Sequence, residues 1–186
     1  FQVILDAPSQ NFGYTDVAGC SELRAVLPAF LFQSRGVSCS PEQIVITSGS
    51  TQALALAIRL LASRNRKVLC EDPLNAHMKK YITTLGCKLT PLPVDRQGLQ
   101  TGLLSRHIAS PPAFTLVTPS HQFPTGGILP VQRRIQLIRF ARDTNSFILE
   151  DDYENEFSQG KSPVSSLQGL DPETVLYSGT FSKTLA

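Results

Sequence analysis

Thr174-Val175-Leu176-Tyr177-Ser178-Gly179-Thr180-Phe181-Ser182-Lys183 begins as a strand-like run over 174–177, then breaks at Gly179 into small hydroxyl residues and a lysine. A lysine just past a buried strand is poorly solvated, and desolvation favours its neutral, nucleophilic amine. Hydroxyls at Thr180 and Ser182, with backbone amides at a glycine break, suit an anion such as a phosphate. An amine beside a phosphate cradle meets two needs of pyridoxal 5'-phosphate, a covalent bond to its aldehyde and an anchor for its phosphate. The stretch alone is a weak signal, because most lysines after strands are solvated surface charges and Ser/Thr/Gly clusters are usually turns. The remaining sequence has to supply a carboxylate for the pyridine nitrogen, a second phosphate contact and a scaffold.

Upstream of this stretch, strands and helices alternate. Apolar strand-like runs are expected at 44–47, 67–70, 87–91, 114–117 and 147–150. Helical spacing of apolar residues marks 22–34, 52–62, 75–85 and 131–144, with a short helix within 99–108. Ser21 reads as an N-cap for the first helix and Gly36 as its stop, while Pro28 predicts a kink or a later start. A turn falls at 95–98, and a looser glycine- and proline-bearing loop at 158–171. Nearly all-apolar strands alternating with helices predict an α/β fold with a mainly parallel sheet sandwiched by helices. With no repeat or low-complexity linker, the chain reads as one domain.

Ligands of such sheets bind outside the carboxyl ends of the strands, and the distinctive polar clusters fall there: 48–51, 71–72, 120–126, 151–153 and 180–183. Gly49-Ser50-Thr51 lies between a strand-like run and a helix, where free N–H groups and positive potential attract an anion; an ordinary turn capped by Ser50 is equally compatible. Asp151 follows Phe147-Ile148-Leu149, placing a carboxylate at the mouth of the sheet. An ionised aspartate there keeps a pyridine nitrogen protonated, and Tyr153 is placed to donate to the ring's phenolic oxygen. Spacing does not decide between Asp151 and Asp152. A divalent cation held by Asp151, Asp152 and Glu154 is the competing reading, although no nearby histidine favours it. Pro124 and Gly126 fix a tight turn after His121-Gln122-Phe123, whose side chains can lie against a bound ring. For His121 alone, a structural hydrogen bond outweighs proton transfer.

Composition sets outer bounds. The 186 residues are 41% hydrophobic, enough for one sizeable core, and the formal charge of +2 carries no basic run of the kind nucleic acid demands. No apolar run reaches the roughly 18 residues of a membrane span, and no signal-peptide pattern opens the chain. The four cysteines, Cys20, Cys39, Cys70 and Cys87, have no paired metal spacing and suit reduced thiols in a cytoplasm. The sequence starts at Phe1 and stops three residues after Lys183, so a fragment of a longer protein is expected.

Ile46-Thr47-Ser48-Gly49-Ser50, Glu71-Asp72-Pro73, the 119–126 stretch, Glu150-Asp151-Asp152-Tyr153-Glu154 with Glu156-Phe157, and Gly179-Thr180-Phe181-Ser182-Lys183-Thr184-Leu185 occur in this order. They closely resemble the fold-type I, class I aminotransferase domain of the MocR subgroup of GntR-family regulators. Phe12 to Gly36, with Tyr14, Gly19, Leu23-Arg24 and Ser34-Arg35-Gly36, fits the same family's opening. The resemblance implies an incomplete large domain of a pyridoxal-phosphate-dependent transferase, with the DNA-binding and C-terminal small domains absent from this piece. It implies Lys183 as the lysine bonded to the aldehyde, Asp151 on the pyridine nitrogen and Tyr153 on the ring hydroxyl. Ser50, Thr51 and Thr180, with Ser182 near, would hold the phosphate. Tyr14 resembles a tyrosine that reaches the neighbouring subunit's phosphate, implying a homodimer. The family's phosphate and substrate-carboxylate arginines are expected beyond Ala186. Leu74-Asn75-Ala76-His77 departs from the family's Gly-Tyr-Pro-Gly, whose tyrosine lies on the cofactor ring, and Ser63-Arg64-Asn65-Arg66 lacks the usual glycine.

Three functions follow as expectations. The first is the effector-sensing part of a pyridoxal-phosphate-binding regulator, responding to an amino compound or to the cofactor itself and reading DNA through a preceding domain. The second is a true amino acid aminotransferase, in which Lys183 shuttles a proton. The third is a degenerate piece that binds nothing.

Overall fold

The computed structural model describes residues 16–62, 67–153 and 165–182. Helix α1 (Ser21–Arg35) is followed by a 3-10 turn (Pro41–Gln43), α2 (Ser50–Leu61), β1 (Lys67–Asp72), α3 (Ala76–Thr84), β2 (Lys88–Asp95) and β3 (Gly98–Leu99). A 3-10 helix (Thr101–His107), β4 (Phe114–Val117), α4 (Val131–Asp143), β5 (Phe147–Asp152) and β6 (Val175–Gly179) complete the order. The strands form one sheet in the order β3-β2-β1-β4-β5-β6, parallel throughout except for the β2–β3 hairpin.

Successive residues of each strand serve opposite faces. On one face Val68, Cys70, Phe114, Leu116 and Leu149 meet Leu54, Ala57 and Ile58 of α2 and Ile82 of α3. On the other, Leu69, Val117, Ile148 and Val175 meet Leu137, Ile138 and Ala141 of α4. Burying each leucine or isoleucine side chain contributes about 1.5–3 kcal/mol, so these two layers hold the sheet in place. Among the described residues, no helix is long and apolar enough to cross a membrane.

The sequence pattern misplaces some boundaries. No strand forms at 44–47. Among the described residues the Ile46 N–H bonds only the Ala18 carbonyl at 2.8 Å, and Val45 is exposed. Gly19 allows that approach, because a Cβ there would sit 2.6 Å from the Ile46 Cβ. Helix α1 runs through Pro28 and is preceded by Cys20 with no side-chain cap, not by a Ser21 cap. Helix α2 starts two residues earlier than its apolar spacing indicates. Strand β2 runs past Pro91 and Pro93 to Asp95: at both prolines it pairs with β1 alone, and its other edge meets β3 only at Val94 and Asp95, so proline interrupts no ladder there. Strands β1, β5 and β6 each extend to include polar residues that read as loop. The strand at 114–117 forms as expected.

Candidate functional site

The strand order reverses between β1 and β4, so the following connections diverge and a crevice opens at the carboxyl ends. There a cavity of about 710 Å³ is bounded by the start of α2, the β1–α3 connection and one side of α3, the loop after β4, and the ends of β5 and β6.

The α2 boundary is built around Gly49, whose φ of 131° lies in a region that side-chain-bearing residues rarely adopt. Gly49 brings no capping side chain, and its carbonyl accepts from Gln52 and Ala53 N–H. The first-turn amides of Ser50 and Thr51 have no carbonyl one turn back within the helix, which leaves positive potential at this wall. Ser50 and Thr51 line the cavity with Gly49. Across from this element in sequence, Thr180 and Ser182 also line it; the Thr180 hydroxyl donates to Ser182 Oγ at 3.0 Å and accepts from Ser182 N–H at 3.1 Å.

Strand alternation sorts the three acids that end β5. Glu150 is fully buried and accepts from Leu167 N–H at 3.0 Å and Gln168 N–H at 3.1 Å; burial pushes its carboxyl up to about 7. Asp152 is buried too, but its Oδ2 accepts from Arg35 Nε and from the Tyr177 hydroxyl, each at 2.7 Å. Asp151, between them, turns to the cavity. It is half-buried, no hydrogen bond reaches its side chain among the described residues, and its carboxyl is pushed up to about 6. Burial is the main cause, followed by the negative charges of Asp152 and Glu71.

The loop after β4 is tied to the end of β1. Glu71 Oε2 accepts from the Thr118 amide at 3.0 Å and its hydroxyl at 2.6 Å, while Oε1 is buried without a partner among the described residues. Burial raises the Glu71 carboxyl above its ordinary range. Gln122 donates to Pro73 O at 3.0 Å and accepts from Thr125, fixing the turn that presents Phe123. The Phe123 ring meets Tyr153 edge-on, with centroids 5.8 Å apart, and both line the cavity.

Of the residues singled out from sequence, Gly49, Ser50, Thr51, Phe123, Asp151, Tyr153, Thr180 and Ser182 converge on this cavity. Lys183 and Tyr14 lie outside the described residues, as does Glu154. For the cation reading, Asp152 is already engaged by Arg35, and no metal-holding cluster occurs among the described residues. His121 stands beside Tyr153, ring centroids 6.4 Å apart. Sequence reasoning places Arg35 in the Ser34-Arg35-Gly36 motif but gives it no role, because a cation that ends a helix resembles an ordinary dipole-neutralising surface charge. It is instead buried, with a second bond to Ser120 Oγ at 2.5 Å. Asn75 was noted only as a departure. It lines the cavity, and its Oδ1 caps α3 by accepting from His77 N–H at 2.9 Å and Met78 N–H at 3.4 Å.

Residues 2–186 match the family described as aminotransferase class I and II. The chain belongs to that family. Among curated relatives it is 41% identical to an uncharacterized HTH-type transcriptional regulator, YdeL, of Bacillus subtilis, over 91% of this chain and 36% of that one. It is 35% identical to the probable rhizopine catabolism regulatory protein MocR of Rhizobium meliloti, over 94% of this chain and 35% of the relative. Among solved structures, an archaeal alanine:glyoxylate aminotransferase superposes with a TM-score of 0.90 at 31% identity, covering 100% of this chain and 47% of the other. The α-aminoadipate aminotransferase LysN of Thermus thermophilus, complexed with N-(5'-phosphopyridoxyl)-L-leucine, superposes with a TM-score of 0.87 at 28% identity, over 99% of this chain and 47% of its own. This aminotransferase-family domain thus spans about a third of the curated regulators' length and about half of the solved enzymes'.

Proposed function

We propose that the cavity binds pyridoxal 5'-phosphate and that the domain is the effector-sensing part of a MocR-type transcriptional regulator. One observation carries the cofactor assignment: Asp151 is an acid turned into the cavity with no hydrogen-bond donor among the described residues, within the same cavity as uncapped helix amides. An acid held so needs a cationic N–H, and amides held so need an anion; a ring with a protonated nitrogen and a phosphate supplies both. LysN, a structural neighbour, is complexed with a phosphopyridoxyl compound, which supports the assignment.

In this reading Asp151 holds the proton on the ring nitrogen and Tyr153 donates to the ring oxygen. Gly49, Ser50, Thr51, Thr180 and Ser182 hold the phosphate, and Phe123 lies beside the ring. Lys183 supplies the amine that bonds the aldehyde, and Tyr14 reaches the phosphate of the other subunit of a homodimer. When bound, the cofactor supplies an electron sink for charge developing on an attached carbon. The chain's own residues orient the ring and keep its nitrogen protonated. The named regulators among its relatives support the sensing role, with DNA read by a separate domain N-terminal to this one.

A second reading, a working amino acid aminotransferase, is supported by the solved enzymes of the same fold; Lys183 would then also carry a proton at Nζ. The full-length protein with added pyridoxal phosphate should absorb in the visible and retain label after borohydride reduction, whereas Lys183→Ala should lose both. Native protein without the visible band refutes the cofactor assignment. A panel of amino donors separates the two roles: turnover with any of them favours the enzyme, and none, together with an upstream helix-turn-helix, favours the regulator.

A further inference from the structure

Arg35 is a buried cation built into the rear of the site. It ends α1, its side chain is 2% exposed, and its Nε lies 2.7 Å from Asp152 Oδ2. The same carboxylate oxygen accepts from Tyr177 on β6, and Arg35 reaches Ser120 after β4, so one guanidinium joins α1, β4, β5 and β6. Asp152 is the covalent neighbour of Asp151, and the register pairs Asp151 with Ser178 and Asp152 with Gly179. Fixing Asp152 on one side of β5 therefore turns Asp151 to the other, where the cavity lies. Among the described residues, the ionisable groups about this pair are Glu71 on β1, Glu150 on β5, Tyr153 beyond it, Tyr177 on β6, Arg134 on α4 and Arg35 on α1, with His77, Lys80 and Tyr81 of α3 lining the same cavity as Asp151.

We propose that Arg35 is a positioning residue for the cofactor site: by locking Asp152 into a buried ion pair it aims Asp151 at the cavity and keeps Asp151 ionised near neutral pH. The proposal rests on the cofactor reading above, and its charge-setting half can be read without any cofactor.

The test uses full-length protein. Titrating the carboxyl carbon of Asp151 by ¹³C NMR, with the signal assigned from Asp151→Asn, measures its midpoint in the unliganded state. Arg35→Met, which leaves Asp152 uncompensated, should raise that midpoint by about one pH unit. Asp152→Asn, which leaves the guanidinium beside a neutral amide, should lower it, and the double variant should return it close to native. Opposite shifts that cancel are not expected of mere structural damage. In parallel, the affinity for pyridoxal phosphate at pH 7 should fall about tenfold in Arg35→Met and recover in the double variant. An unmoved midpoint in Arg35→Met, or a raised one in Asp152→Asn, overturns the proposal. If Arg35→Met does not fold, the direction in Asp152→Asn decides alone. Midpoints that move as stated, in proteins none of which binds pyridoxal phosphate, would leave Arg35's role standing and sink the cofactor reading.

Discussion

The sheet face covered by α4 and the face covered by α2 and α3 differ in how they hold their carboxylates. On the α4 side the buried charged groups are all engaged, although Glu71 and Asp171 each use only one carboxylate oxygen among the described residues. Arg134 donates to the carbonyls of Leu129, Ser165 and Pro119, Glu150 accepts two amides, and Asp152 accepts from Arg35 and Tyr177. On the α2 and α3 side Asp151 and Ser178 at the strand ends, with Thr180 just after β6, surround open volume beside a helix start with no side-chain cap. Burial without a hydrogen-bond donor costs free energy, and on the cavity side the Asp151 carboxyl bears that cost with no donor among the described residues. A domain selected only to fold would treat both faces as it treats the first. The asymmetry marks where a ligand completes the bonding.

That contrast can be broken from either side. The largest effect is expected at Arg134: Arg134→Met strips the buried carbonyls of Leu129 and Pro119, and that of Ser165, of their donor, and Glu150 of a neighbouring cation. A loss of about 3–5 kcal/mol in urea unfolding is expected. A loss under about 1 kcal/mol would mean that this face is not held by its polar network. On the cavity side the sign reverses. Asp151 has a folded-state value of about 6, raised from 3.8, so the native state binds more protons than the unfolded state between those values. Its contribution to stability is full below about pH 4 and is lost as pH rises through about 6. Asp151→Asn should therefore flatten the stability profile across that window and stabilise the unliganded protein by about 1–3 kcal/mol at pH 8, while weakening cofactor binding. An unfolding midpoint followed against pH for both proteins checks the sign.

Much of this was legible in the sequence for a physical reason. The order of elements follows from apolar period, and the cavity residues follow from the rule that parallel sheets bind ligands at strand ends. Gly49, Ser50, Thr51, Asp151 and Thr180 each announce themselves by type, being small, hydroxylic or acidic immediately after an apolar run. Spacing could not choose between Asp151 and Asp152. Strand alternation turns Asp151 to the cavity while Asp152 is engaged by Arg35, 117 residues away in sequence, and such long-range pairing leaves no local trace. The absent strand at 44–47 has the same origin, since an apolar run becomes a strand only where another strand's edge is free to pair with it, and among the described residues Ile46 finds only Ala18.

The smallest effect tests the two faces at a single residue. Asn75 belongs to both kinds of region: its side chain lines the cavity, yet Oδ1 is spent on the first amides of α3. Asn75→Ala should remove the cap and lower stability by about 1 kcal/mol. Asn75→Tyr loses the same cap but brings an aromatic surface to the wall of the cavity, which is worth about 0.5–1.5 kcal/mol against a planar ring. Its expected signature is therefore divided, with a lower unfolding midpoint and an affinity for pyridoxal phosphate up to about tenfold tighter. Alanine should show only the first change. If both variants lose stability alike and neither gains affinity, position 75 faces the cavity without touching the ring, and its asparagine serves the helix alone.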